Sequence, residues 1–216
     1  MRSKYNKDDN VSNGFLESPQ QAAEHIKLLF GEYLRNDAHD LIQVIGRTDI
    51  FDNDRDFVED AVELGLTEFE AMTANAVTIT DDVGDRHVLI KRRFIPVGAL
   101  LHEFIRAFSS PEVFEEFGGN VDEGLAEFFT RESMAGLNID RGILNYRQFS
   151  IISALADSTG QSPLARGFFG GELEVLERSV DNVFGQRSWQ EIVALMQRGD
   201  YDQAERIIER RRQDDA

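Results

Sequence analysis

A chain of 216 residues that is 41% hydrophobic and carries 16 Phe has enough apolar material for a packed core, which excludes wholesale disorder. Its 40 Asp and Glu outweigh 23 Lys and Arg to give a net charge of −17, which repels phosphate backbones and anionic headgroups and sets aside nucleic acid and membrane surfaces as partners. The absence of cysteine excludes disulfides, thiolate nucleophiles and Cys-type zinc sites.

Residues 1–16 are polar and read as a flexible tail, without the apolar stretch that a signal peptide needs. No apolar run is long enough to predict a membrane span, so a cytoplasmic location is the default expectation. Residues 17–216 read as one domain: N-terminal helices over 17–75, a hairpin with two motif helices over 76–135, and a helical part over 136–216.

Ser18-Pro19 supplies an N-cap and a first-turn proline. The helix they open carries Ala22, Ala23, Ile26, Leu29, Phe30 and Tyr33 on one face and should end near Asn36. His25 within it reads as a solvated or core-edge histidine. Leu41 to Ile45 is a short apolar run, either strand or helix end. Asp49 to Asp56 is acidic and loop-like; it lacks the glycine and the final glutamate of a calcium loop. Phe57 to Asn75 is amphipathic, with Phe57, Val58, Ala61, Leu64, Phe69 and Met72 as candidate buried positions.

The pattern then changes to period two. Ala76 to Thr80 and His87 to Lys91 flank a turn-rich spacer containing Gly84, which predicts a β-hairpin. Helices are predicted over Val97 to Phe108, Asp122 to Ala135 and Tyr146 to Asp157, with shorter ones from Pro163 and over Gly171 to Phe184. A last helical hairpin pairs Ser188 to Gln197 with Tyr201 to Arg212, with Gly199 ending the first helix and Asp200 capping the second. The fold class is therefore α+β and mainly helical.

Two segments carry chemistry. Ala99 to Phe108 is apolar except for His102, Glu103 and Arg106. In H-E-x-x-H helices two histidines four residues apart share one face and bind zinc, and the intervening glutamate polarises the metal-bound water. Here the second histidine position is Arg106, whose guanidinium has no lone pair to donate. Asn120 to Arg131 then presents Glu123 and Glu127 one turn apart, with Ser109-Ser110-Pro111 and Gly118-Gly119 as loop chemistry between the two segments.

Together these residues resemble the helix pair of gluzincin-type zinc metallopeptidases, in degenerate form. The resemblance covers residues 76–135 and, more loosely, runs on through Tyr146 and Ala165 to Gly171. It implies a small hairpin or sheet packed on the active-site helix pair, with a helical C-terminal part. It also implies His102 and Glu123 as zinc ligands, Glu103 as general base, Glu127 as support for His102, and Tyr146 as an oxyanion donor. A third ligand in place of the missing histidine could come from Asp122, Glu127 or His87. Alternatively, the Arg106 guanidinium stands where zinc would sit and pairs with Glu103 or Glu123.

Three functions stay open: a peptidase-like domain that has lost zinc-dependent hydrolysis and binds a protein or peptide, an active metal-dependent peptidase with an atypical ligand set, and a helical interaction module unrelated to peptidases. Whether the chain is an enzyme is thus left open by its residues.

Overall fold

The computed structural model describes residues 18–34, 46–92, 97–135, 137 and 146–214, the side chains of Val97, Tyr146 and residues 211–214 excepted. Among these residues it is a mainly helical α+β fold with eleven helices and one three-stranded mixed sheet. The run Leu41 to Ile45 lies outside the described residues. No helix among those described is long and apolar enough to cross a membrane.

Helix α1 (Pro19–Phe30) opens on a capping box in which the Ser18 side chain and Gln21 satisfy each other's backbone amides. It ends at Gly31 rather than near Asn36. Ala22, Ala23, Ile26 and Phe30 are buried, while Leu29 and Tyr33 are half-buried. His25 is held at the core edge, with Nε2 3.1 Å from the Ser133 carbonyl oxygen.

The sheet has one strand more than the hairpin. β2 (Ala76–Thr80) pairs antiparallel with β3 (Arg86–Lys91), as the alternation predicts. β1 (Thr48–Phe51) pairs parallel on the other side of β3, giving the order β1-β3-β2. This corrects the loop-like reading of Asp49 to Asp56. A four-residue TDIF strand is too short to display a period, and its hydrogen bonds come from a partner some forty residues away.

The amphipathic stretch after β1 is two helices, α2 (Asp54–Glu63) and α3 (Glu68–Thr73). Gly65, at φ 106°, breaks them, and a second capping box at Thr67 and Glu70 restarts the chain in a new direction. The break corrects two predicted core positions: Phe69 is 77% exposed and Met72 64%, and Ala71 takes the buried place.

Both faces of the sheet are covered. Val88 and Ile90 join the main core, while Leu89 and Ile79 form a smaller one with Phe57, Ala61 and Ala71 beneath α2 and α3. Period two explains the division, since successive β3 side chains point to opposite faces. The face carrying Val88 and Ile90 meets α4 (Val97–Phe108), which also packs against α1 and against α6 (Gly119–Ala135). The connection read as loop is itself helical: α5 (Pro111–Phe117) has Pro111 in its first turn after Ser110, the same start signal as in α1.

The C-terminal part comprises α7 (Tyr146–Thr159), α8 (Gln161–Gly170), α9 (Leu173–Phe184), α10 (Ser188–Gln197) and α11 (Tyr201–Asp214). Phe129 of α6 sits among Phe30, Phe128, Phe168 and Phe169 at ring-centroid distances of 4.9–5.4 Å, tying α1 and α8 to α6. At the end of α10, the Asp200 amide bonds to the Leu195 carbonyl and the Gly199 amide to that of Met196. This is a Schellman pair with Gly199 at φ 76°.

Candidate functional site

The site lies where α4 crosses α6. α4 has core on several sides: Leu100, Leu101, Phe104 and Ile105 are at most 2% exposed, so its polar residues are carried inward with them. His102 and Glu103 are buried, and Arg106 is partly exposed. Facing them from α6 are Asp122, Glu123 and Glu127, of which Asp122 and Glu127 are buried.

His102 Nε2 lies 3.1 Å from Glu123 Oε1. Its other nitrogen, Nδ1, lies 3.4 Å from Thr130 Oγ1 and 3.6 Å from Glu127 Oε2. The Thr130 hydroxyl donates to the Ala126 carbonyl at 2.6 Å and so meets Nδ1 as an acceptor. Both ring nitrogens thus face acceptor oxygens, and the nearest of these is Glu123 Oε1 at Nε2. Glu127 is fixed in turn by a 2.8 Å hydrogen bond from Arg131 Nε. The imidazole therefore stands at ion-pair distance, and not at hydrogen-bond distance, from a carboxylate that is itself oriented by a guanidinium.

Glu103 points elsewhere. The Thr78 hydroxyl on β2 is 2.9 Å from both its backbone carbonyl oxygen and its carboxylate Oε2, and donates to them. This joins the edge strand to α4 through the carboxylate expected to act as base.

Arg106 is one turn beyond His102. Its Nε lies 3.4 Å from Asp122 Oδ2 and its Nη1 3.9 Å from Glu123 Oε2. Asp122 is therefore the nearest of its ion-pair partners, where spacing pointed to Glu103 or Glu123. Burial acts to lower the Arg106 pKa, but the summed pull of Glu103, Asp122 and Glu123 outweighs it and holds the group above its ordinary value. For Asp122 the balance falls the other way: burial raises its carboxyl above the usual range, against the pull of Arg106 and Arg86. Arg86, at the start of β3, closes the C-terminal end of α4 by donating to the carbonyl oxygens of Arg106 and, at 2.6 Å, Ser109.

Of the residues singled out in the sequence, His102, Glu123, Glu127 and Arg106 meet in one cluster, with Glu103 at its edge. His87 does not join it, because its Nε2 is 3.0 Å from Asp81 in the hairpin. The side chain of Tyr146 lies outside those described. Thr78, Thr130, Arg86 and Arg131 belong to the site and were not foreseen. Arg131 stands four residues after Glu127, a spacing that places it on the same face. For Thr78 and Arg86 no local signal exists, since both come from the sheet.

The donor set does not fit a catalytic zinc, which takes three protein ligands. One imidazole nitrogen and one carboxylate oxygen converge. Asp122 is turned to Arg106, and Glu127 to Arg131 and Nδ1. Among the described residues no group of three or more His, Asp or Glu could hold a metal ion. No family model, curated protein or solved structure matches the chain, so the resemblance rests on these residues alone.

Proposed function

We propose that the chain is a gluzincin-like domain that has lost zinc-dependent peptide hydrolysis and acts by binding a protein or peptide. One observation carries this reading: the Arg106 guanidinium lies among Asp122, Glu123 and Glu103 at the position where the second metal-binding histidine would be. Buried carboxylates need a cation, and a guanidinium that stays protonated supplies one without a metal. The engagement of Glu103 by Thr78 agrees, because a base must be able to reach water.

The edge of β2 is the natural place for the partner. Among the described residues β2 is an edge strand, so an extended segment can add to it through main-chain hydrogen bonds. The net charge of −17 favours a basic segment. Purified chain should carry no stoichiometric zinc, retain Lys- and Arg-rich peptides from a mixed library, and leave that library uncleaved when zinc is supplied. Cleavage abolished by a chelator would overturn the reading. The approach of His102 Nε2 to Glu123 Oε1 at 3.1 Å favours a second reading, a metal-dependent peptidase with an atypical ligand set. Zinc near one equivalent in the purified chain would decide for it.

A further inference from the structure

Seven large apolar side chains among the described residues are exposed, and Phe69 and Met72 are the two that share one helix. The other five lie one each on α1, α2, the hairpin turn, α5 and α9, a scatter that is ordinary for a folded surface. Three residues apart, Phe69 and Met72 project from the same face of α3, while Ala71 is buried on the other. A six-residue helix does not hold itself together in water, yet α3 is pinned at both ends. The capping box of Thr67 and Glu70 fixes its start. At its end the Thr73 hydroxyl donates to the Phe69 carbonyl oxygen at 2.9 Å, and Lys91 Nζ donates to that of Met72 at 3.4 Å. Two large apolar side chains are thus held out on a fixed backbone, which a partner need not order on binding.

The charge around this face selects the partner. α2 carries five acidic residues and α3 two, all exposed, against one basic residue, Arg55, which lies 2.9 Å from Glu59. Lys91, the cation at the end of α3, is buried and faces the Phe57 ring. A second copy would bring like charges together here, whereas a cationic partner is attracted by each of them. We propose that the outer face of α3 is a docking site for a basic amphipathic helix of a partner protein. The apolar stripe of that helix covers Phe69 and Met72, and its Lys and Arg flanks meet the carboxylates of α2 and α3. α3 lies over the small core, across the sheet from α4, so the inference does not depend on the loss of zinc.

The probe is a synthetic peptide of Leu and Lys in helical alternation, about 18 residues long so that it can form a helix. It is titrated into the full chain and followed by peptide anisotropy and by the amide shifts of the chain. The shift changes should centre on Phe69 and Met72. Phe69→Ala combined with Met72→Ala should weaken binding about tenfold or more, as loss of an interface anchor does. A shuffled peptide of the same composition should bind about as weakly to the native chain as the patterned one does to this variant. Glu68→Lys should also weaken binding and reduce its dependence on salt. No binding, or affinity unchanged by the double variant, would overturn the proposal, the latter by showing charge attraction without an apolar anchor. Shifts confined to Ala76 to Thr80 would overturn it while placing the peptide on the β2 edge. A native chain that dimerises, and becomes monomeric in the double variant, would overturn it in favour of a second copy. Both substitutions are at exposed positions, where effects on folding are small. If the double variant does not fold, Met72→Gln alone decides by the same comparison.

Discussion

Arg131 Nε donates a 2.8 Å hydrogen bond to Glu127, a carboxylate with no exposed surface, across one turn of α6. The guanidinium also lies over the Phe149 ring, 4.1 Å from its centroid, which fixes α6 to α7. Removing Arg131 takes this cation from a fully buried carboxylate, so Arg131→Met should cost about 3 kcal/mol in urea unfolding. The double variant Glu127→Leu with Arg131→Met should be more stable than either single one. Equal losses for one and two substitutions would show that packing, and not charge, holds the pair.

The close approach of α8 and α9 gives a second prediction. A Cβ built on Gly167 would stand 2.7 Å from Leu176 Cδ1 and 2.8 Å from Leu176 Cβ. The second contact cannot be relieved by rotating the leucine side chain. Alanine is the better helix former by about 1 kcal/mol, yet overpacking of this kind costs about 1–3 kcal/mol. Gly167→Ala should therefore lower the melting temperature. An unchanged or raised value would mean that the two helices are not in contact here.

The strengths and failures of the sequence reading have physical causes that these residues show. Long periodic segments were legible: α4 and the hairpin strands are found at or within a residue of their predicted bounds, because each carries its own period. Spacing also brought His102, Glu123 and Glu127 to one place, since helical geometry fixes which residues share a face. Phe69 and Met72 misled because their period continues that of α2, while Gly65 turns the chain between them. β1 was hidden because a short strand is defined by its neighbour. The partner of Arg106 was missed for a related reason. Spacing says which turn a carboxylate occupies, but the crossing of α4 over α6 decides that Asp122 lies nearest.

The hairpin turn makes a pH prediction. The Asp81 carboxyl is held below its ordinary value chiefly by the hydrogen bond from His87, against an opposing effect of burial and with smaller help from the backbone amides of Asp85 and Val83. A carboxyl with a lower pKa folded than unfolded adds stability above the unfolded value, about 3.9, and loses it as pH falls through the folded value. Amide exchange at Val83 and Asp85, both bonded to the carboxylate, should therefore speed up, relative to its intrinsic rate, as the solution is acidified below that range. Asp81→Asn should show the faster exchange already at neutral pH and remove this pH dependence. An unchanged dependence in the variant would assign it to another group.

The Thr78 hydroxyl links the edge strand to the Glu103 carboxylate, and its removal separates two roles for that residue. Thr78→Val keeps the shape and β-branching but leaves the buried carboxylate without this donor. The expected cost is about 1–2 kcal/mol, a value typical of a hydrogen bond to a charged group. β2 is held to the sheet on one side only, so its amides should also exchange faster than those of β3 in the variant. If Thr78 does no more than fill space, valine should match threonine in both stability and exchange. If it instead anchors the strand to α4, peptides that add to the β2 edge should bind Thr78→Val more weakly, because binding must then order the strand as well. Loss of stability with peptide affinity intact would place the partner away from this edge.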